Sequence, residues 1–435
     1  MNNRLNNKRG SITVLLLLFL STFLLVIIVF AEAAAVKAAR TYSDGVLDLA
    51  GRSILSEYDR NLKDDYGIFG MVTDKDTVEQ KMRYYAKESF RRNNGVMNFF
   101  HMSVNEINAD LSPYALTNLD LLEEQIIDYM KFRITIEGLN ALALLDKLPV
   151  LNRWSENQAD NNNGELIKRG PRTLKNKKVI NRLPSYELED NREEFIFLPD
   201  LDGLSNITGN GLYLNLYLLK KFRHRLDPPE WQDTFFVNEV EYILFGSLSD
   251  ESNYKRTKTT LTALRTGINT AHIYSDTSKR KAVITAATLL TPGPEAAATQ
   301  IALAGAWATA EAINDVKRLE KGGKVPLVKT EDDWVISLDH VLEEIIEPAA
   351  VDPGSEKGLS YENYLFLLLC MTDREKKLIG IMDLIQLNMK GNYYEDFLMS
   401  RCYSGVDYQC ILERKNSCIL PPSLRLGQFK ASHVY

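Results

Sequence analysis

Residues 11–31 read SITVLLLLFLSTFLLVIIVFA and contain no charged side chain. Sixteen of these 21 residues are Leu, Ile, Val or Phe. A helix rises about 1.5 Å per residue, so a helix of this length spans the roughly 30 Å hydrocarbon core of a bilayer. Its few hydroxyl side chains can donate to carbonyl oxygens of their own helix and therefore add little cost in lipid. The segment Ser11–Ala31 predicts a transmembrane helix whose partner is the lipid bilayer.

Charges beside this segment predict its orientation. Residues 1–10 carry three cations, at positions 4, 8 and 9, and no acid. Because cytoplasmic flanks are enriched in cations, we expect a cytoplasmic head at 1–10 and the rest of the chain outside the cytoplasm. The alternative is a cleaved secretory signal, for which Ala31-Glu32-Ala33 offers a cleavage site, although signal peptides usually have shorter apolar runs. The favoured localisation is a single-pass signal anchor in the cell membrane.

The composition is that of an ordinary globular protein. Hydrophobic residues make up 45% of the chain and charged residues 25%, and the net charge is −6. This mild acidity, without a basic stripe interleaved with aromatics, argues against nucleic acid as a partner. About 400 residues exceed what one compact core usually holds, so we expect two ectodomain parts, at 63–150 and 211–435. Between them, residues 151–210 form a polar insertion expected to be flexible.

Residues 32–62 predict a helical extension of the membrane helix. The stretch from Glu32 is rich in alanine, and Leu47, Ala50 and Ile54 recur at helical spacing. One helix would therefore run from about residue 12 to 62, with Gly45 and Gly51 marking a bend or close packing. The fold class predicted for the whole chain is α+β and helix-dominated. The further helices expected are 121–148, 253–271, 295–319, 361–370 and 377–388, and the strands are 102–111, 405–413 and 424–435.

The sequence carries no complete catalytic or metal-binding motif. The five histidines are scattered and none has HExxH spacing. Gly322-Gly323-Lys324 lacks the other parts of a phosphate loop and is better explained as a helix C-cap. Asp276–Arg280 only approaches a D-x-S-x-S metal motif, and Asp200–Gly203 lacks the distal acid of a calcium loop. We therefore predict no enzyme, no cofactor, no metal and no small-molecule substrate.

The four cysteines all lie in the last 66 residues. Cys370 lies in an apolar run and is expected to be a buried free thiol. The remaining three, Cys402, Cys410 and Cys418, are separated by gaps of seven residues, and outside the cell membrane one disulfide among them is plausible. The sequence does not choose the pair.

Two carboxylates interrupt an alanine-rich predicted helix. Glu311 lies one turn after Trp307, and Asp315 lies one turn further on. A buried carboxylate needs a partner, and Arg265 on another predicted helix is one candidate. Exposed partners or simple solvation are the alternative, which the sequence favours.

The N-terminus resembles that of a known class of membrane subunits. The head Arg9-Gly10-Ser11-Ile12 followed by a long apolar helix is similar to the start of Tad-type (tight adherence) pseudopilins. This resemblance implies cleavage between Gly10 and Ser11. The chain departs from the pattern at the fifth mature position, where Leu15 stands in place of the usual glutamate.

The rest of the chain resembles a family of Gram-positive membrane-anchored proteins of unknown function associated with Tad-type pilus assembly. The segments that carry this resemblance are Glu57–Asp59, Asp65–Phe69, Gln125–Arg133, Asn238–Gly246, Trp307–Glu311, Lys324–Lys329 and Asp383–Met389. The resemblance implies other pilus or secretion components as partners, and no known reaction. We therefore expect a pseudopilin-like accessory component that acts through protein contacts. The alternative is a membrane-tethered binding or adhesion module that never enters a filament.

Overall fold

The computed structural model describes residues 8–91, 101–131, 133, 183–187, 209–228, 234–343, 357–415 and 423–435. Within these ranges the chain is a helix-dominated α+β protein, as predicted, and its strands form two antiparallel sheets. The helices are α1 (Lys8–Leu55), α2 (Arg60–Tyr66), α3 (Lys75–Arg91), α4 (Leu119–Lys131), α5 (Pro184–Glu187), α6 (Gly209–Lys221), α7 (Glu239–Phe245), α8 (Asp250–Ser275), α9 (Thr277–Leu290), α10 (Ala296–Glu320), α11 (Leu338–Leu342), α12 (Tyr361–Cys370) and α13 (Arg374–Asn392). The strands are β1 (Met71–Val72), β2 (His101–Asp110), β3 (Cys402–Tyr403), β4 (Gly405–Lys415) and β5 (Ser423–Val434).

The chain divides into two compact units. Unit 1 falls within residues 1–60, 69–116 and 400–435, and unit 2 within residues 61–68 and 117–399. The C-terminal strands thus belong with the N-terminal helix, whereas the sequence grouped them with residues 211–399. Strand pairing explains this difference, because β4 pairs with β2 across about 300 residues of intervening chain.

Unit 1 is built from a three-stranded antiparallel sheet covered by helices. The strand order is β2-β4-β5, and Ile107 of β2 stands opposite Cys410 of β4, which also faces Phe429 of β5. Side chains on a strand alternate between its two faces, so the buried residues of β4 recur at every second position. These buried residues are Val406, Tyr408, Cys410 and Leu412. They share one core with α1 and α3.

The second half of α1 is the helix that completes this core. Its buried positions recur at helical spacing on one face, which is the pattern of an amphipathic helix. They are Ala39, Ser43, Val46, Leu47, Ala50 and Ile54. The helix ends at Leu55, earlier than predicted, where the Glu57 N–H donates to the Ile54 carbonyl and tightens the last turn.

Unit 2 is a helical assembly around two consecutive buried helices, α12 and α13. Every residue of α13 from Lys377 to Met389 is buried, and α12 is buried from Tyr364 to Cys370. A helix that is surrounded on all sides needs no polar face, which explains the long apolar runs of this pair. A second cluster forms where α8, α9 and α10 pack together around Trp307.

Most elements that the sequence predicted are present. The strand expected at 102–111 is β2, those expected at 405–413 and 424–435 are β4 and β5, and the helices expected at 253–271 and 295–319 are α8 and α10. The helices predicted at 361–370 and 377–388 are α12 and α13. The helix predicted at 121–148 is confirmed as α4 up to Lys131, and its remainder lies outside the described residues. Most of the predicted insertion at 151–210 also lies outside them.

Candidate functional site

The first half of α1 is an apolar helix whose side chains lie on the surface of the described chain. All sixteen of its large hydrophobic side chains between Ile12 and Phe30 are exposed, each by 45% or more. The hydroxyl of Ser21 donates to the Leu18 carbonyl at 2.9 Å, and that of Thr22 donates to the Leu18 and Phe19 carbonyls. Both polar side chains are thus satisfied within the helix, as predicted. Within the part of the chain that the structure describes, this is the one helix long and apolar enough to cross a membrane.

From Ala39 onward, the same uninterrupted helix packs into the core of unit 1. A Cβ added at Gly51 would collide with the ring of His433 and lie 3.1 Å from the ring of Tyr408, so glycine permits close approach of helix and sheet. The Tyr408 hydroxyl donates to the Leu47 carbonyl at 2.8 Å. Close packing at Gly51 is therefore confirmed. No atom lies within 4 Å of a Cβ added at Gly45.

Unit 2 holds a buried network of four charged side chains, two of each sign. Arg265 of α8 donates from Nε to Oδ2 of Asp315 on α10 at 3.0 Å, and Nη2 lies 2.9 Å from the same oxygen. Nη1 donates to the carbonyls of Pro326 and Leu327 and to the Tyr364 hydroxyl. Every nitrogen of this fully buried guanidinium is therefore used, as burial of an arginine requires.

The second ion pair of the network ties down a loop. Lys329 bonds Glu311 directly and lies 2.6 Å from Oδ1 of Asp315. Glu311 also accepts from the backbone N–H groups of Val335 and Ile336, the latter at 2.7 Å. All four charges are at least 95% buried and sum to zero. The network therefore clamps the segment 325–336 onto α8 and α10 and leaves no charge uncompensated.

The electrostatics of Arg265 follow from this arrangement. Burial alone would lower its pKa, but the nearby Tyr364 and Asp315 outweigh that effect and the pKa is raised. The partner proposed from sequence is confirmed for Asp315. The favoured alternative of exposed partners or solvation was wrong, because Glu311 and Asp315 are buried and ion-paired. The sequence missed Lys329, whose place near α10 depends on the path of a loop.

A second polar centre surrounds α7, and sequence reasoning did not single it out. Glu239 accepts from the Arg223 N–H at 2.8 Å and from Asn388 Nδ2 at 2.6 Å. Glu241 accepts at Oε1 from the Tyr361 hydroxyl at 2.7 Å, while its buried Oε2 has no hydrogen-bond partner. Burial is the main reason that the pKa of each carboxyl is raised to about 7. The sequence feature that could have indicated this centre is the presence of two acids inside the apolar run 238–246.

The candidate phosphate and metal motifs that lie within the described residues have structural roles. Gly322 has φ +79° and follows the end of α10, as expected for a C-cap. Asp276 caps α9 by accepting from the N–H groups of Ser278 and Lys279. Among the described residues, no group of three or more His, Cys, Asp or Glu side chains could hold a metal ion. The stretch Asp200–Gly203 lies outside the described residues.

The described cysteines are buried in the protein. Cys370 is a buried free thiol, as predicted, and burial raises its pKa to about 12. Cys410 is also a free thiol in the described part of the chain, and Cys402 is buried in β3. Because Cys418 lies outside the described residues, the predicted disulfide stays a prediction. Gly10 and Ser11 lie in the first turn of α1, and cleavage between them also stays a prediction.

Comparison with known proteins identifies one family. The sequence model of DUF5702, described as a family of unknown function, matches residues 154–413, which is more than half of the chain. No curated protein and no solved structure matches the chain. The matched range contains both buried polar centres of unit 2. The chain therefore belongs to DUF5702, a family of unknown function.

Proposed function

We propose that this protein is a single-pass membrane protein of the cell envelope, with its N-terminus in the cytoplasm and the chain after residue 31 outside. Its role is that of a pseudopilin-like accessory component of a Tad-like pilus or secretion system, acting through protein contacts. The observation that carries the proposal is α1. One uninterrupted helix presents a fully exposed apolar half at 12–30 and then becomes part of the core of unit 1.

This architecture supports a role in assembly for a mechanical reason. A helix without a linker couples the position of unit 1 to the position of the membrane segment, because bending it would break backbone hydrogen bonds. Lateral packing of the membrane segments of several chains would therefore also orient unit 1 of each chain. An exposed apolar surface of this size is a site of membrane or protein contact.

One residue favours the alternative of a tethered binding or adhesion module. Leu15 stands where pseudopilins usually carry a glutamate, so this chain has no carboxylate there to neutralise a neighbour's N-terminal amine. Without that carboxylate, the N-terminal amine of a neighbouring subunit would be an unpaired charge inside the membrane, which costs free energy. The standard pairing between pseudopilin subunits is therefore not available to this chain.

The mature N-terminus separates these functions. Mass spectrometry is applied to the chain recovered from membranes and from sheared surface material of the native cells. A start at Ser11, with chain in the sheared fraction, supports the assembly component. Retention of residues 2–9 supports the tethered module, and a start at Ala34 overturns both.

A matched pair of variants makes this test specific. Gly10→Leu removes the small residue at the proposed cleavage site and is expected to leave the head attached. Asn7→Leu, three residues upstream, is expected to be processed like the natural chain. Equal processing of both variants would show that cleavage does not depend on Gly10.

A further inference from the structure

The hairpin of α9 and α10 has an unusually uncharged end. Residues 282–310 read AVITAATLLTPGPEAAATQIALAGAWATA and contain one charged residue, Glu295. Both helices pack together along this stretch, and residues 291–295 connect them. We call residues 284–302 the hairpin tip.

The hairpin tip is exposed although it is apolar. Leu289 is 78% exposed, Ile301 67% and Leu290 59%. At the other end of α10, by contrast, Glu311 and Asp315 are buried in the ion network. One end of the hairpin is therefore anchored in the core of unit 2, while the other presents large apolar side chains. Exposed apolar side chains grouped at one end of a helix pair are typical of contacts with membranes or other proteins.

Hydrogen bonding within the hairpin tip favours lipid as the partner. The hydroxyl of Thr288 donates to the Ile284 carbonyl at 2.8 Å, and that of Thr285 donates to the Lys281 carbonyl at 2.9 Å. Thr299 donates to the hydroxyl of Thr291 at 2.9 Å, where the two ends of the connection meet. These hydroxyls therefore enter a medium without hydrogen-bond partners at little cost. A protein partner would normally be offered a polar rim.

Charge distribution along α9 fits a membrane surface as well. Arg280 and Lys281 are exposed near its start, and Lys281 precedes Leu289 by eight residues, or about 12 Å along the axis. Interfacial segments bury their apolar side about 5–10 Å deep and keep their cations among the headgroups. Glu295 is exposed at the N-terminal end of α10, where the helix dipole favours a negative charge, and as the one charge of the hairpin tip it has to stay hydrated among the headgroups.

We propose that the hairpin tip inserts shallowly into the surface of a bilayer that contains anionic lipids, with Arg280 and Lys281 at the level of the headgroups. The inference rests on the proposed function only in that α1 holds the chain at a membrane. It gives unit 2 a membrane contact of its own.

The experiment uses the full chain reconstituted into vesicles of phosphatidylcholine with phosphatidylglycerol. A solvent-sensitive fluorophore is attached through Ala298→Cys at the hairpin tip or, as the matched control, through Lys255→Cys. Lys255 is also exposed in unit 2, but its neighbour Tyr254 bonds Glu320 at the opposite end of α10. The chain without an introduced cysteine gives the background labelling.

Two quenchers report the location of the fluorophore. We expect a lipid-borne nitroxide to remove most of the emission at position 298 and little at 255, and aqueous iodide to do the reverse. Leu289→Asp is expected to abolish lipid quenching at 298. Arg280→Gln with Lys281→Gln is expected to weaken it in anionic vesicles only.

Two outcomes would overturn the inference. Position 298 could be as open to iodide with vesicles as without them, or it could be shielded from both quenchers, which would indicate a protein contact such as a second copy of the chain. Alkaline carbonate extraction of the same vesicles tests α1 separately. A chain that resists extraction while position 298 stays in water refutes only the hairpin contact.

Discussion

Glu241 provides the sharpest test of the electrostatics of unit 2. Its carboxyl is fully buried on α7, and one of its two oxygens has no hydrogen-bond partner. Because burial raises its pKa from 4.5 to about 7, the folded chain holds this proton more tightly than the unfolded chain does. The stability conferred by the proton is complete below about pH 4.5 and is lost as the pH rises through 7.

The expected magnitude follows from the size of this shift. A difference of about 2.5 pKa units, at about 1.36 kcal/mol each, corresponds to roughly 3 kcal/mol. Glu241→Gln keeps the acceptor for the Tyr361 hydroxyl and cannot ionise. We therefore expect this variant to be about 2–3 kcal/mol more stable than the natural chain at pH 8, and to differ little from it at pH 5.

The assay is urea unfolding of the full chain in a mild detergent, between pH 5 and pH 8, followed by tryptophan emission. Trp307 and Trp334, the two tryptophans among the described residues, lie in unit 2, so their emission reports on that unit. Glu395→Gln is the matched control, because this glutamate is exposed and its replacement should leave the pH dependence unchanged. If Glu241→Gln is less stable at pH 8, or has the same pH profile as the control, the assignment of a buried carboxyl with a raised pKa is wrong.

Three further predictions concern packing and reactivity. Arg265→Met should lower the free energy of unfolding of unit 2 by about 3–5 kcal/mol, since it strands a buried carboxylate; Lys255→Met on the same helix should have almost no effect, and equal effects would contradict the network. Gly51→Ala should destabilise unit 1 by about 1–3 kcal/mol through overpacking, and Gly45→Ala should stabilise it by up to about 1 kcal/mol. Hydrogen exchange along residues 39–54 measures both, and tolerance of Gly51→Ala would refute close packing there. Cys370 should resist a thiol reagent at pH 8 until the chain is denatured, because burial raises its pKa to about 12; rapid labelling of the folded chain at this residue, located by peptide mapping, would contradict its burial.

Local patterns predicted the secondary structure well, and they failed where contacts are distant. The helices α8, α10, α12 and α13 were predictable because apolar residues recur at helical spacing or form long runs. The Asp315–Arg265 pair was only one candidate among several, since nothing local relates residues 50 positions apart. The pairing of Lys329 with Glu311 could not be predicted, because an irregular loop brings Lys329 to that position.

The candidate sites show the same division. The exposed half of α1 was predictable from composition alone, because an uncharged apolar run of this length is typical of a helix that spans a bilayer. The raised pKa of Glu241 could not be predicted, because it depends on how many atoms surround the carboxyl. The hairpin tip is also a tertiary finding: the sequence predicted only the helix at 295–319, and only the fold leaves Leu289 and Ile301 exposed.

The sequence by itself determined the apolar helix, its continuation into an amphipathic half, and most of the helices and strands that follow. These features depend on residues within one or two turns of each other, and short-range periodicity records them directly. Only the tertiary structure decided that β2 pairs with β4, that unit 1 closes with the C-terminal strands, and that four charges meet in the core of unit 2. Those features join residues up to hundreds of positions apart, and burial and ion pairing are properties of the assembled core that no local pattern encodes.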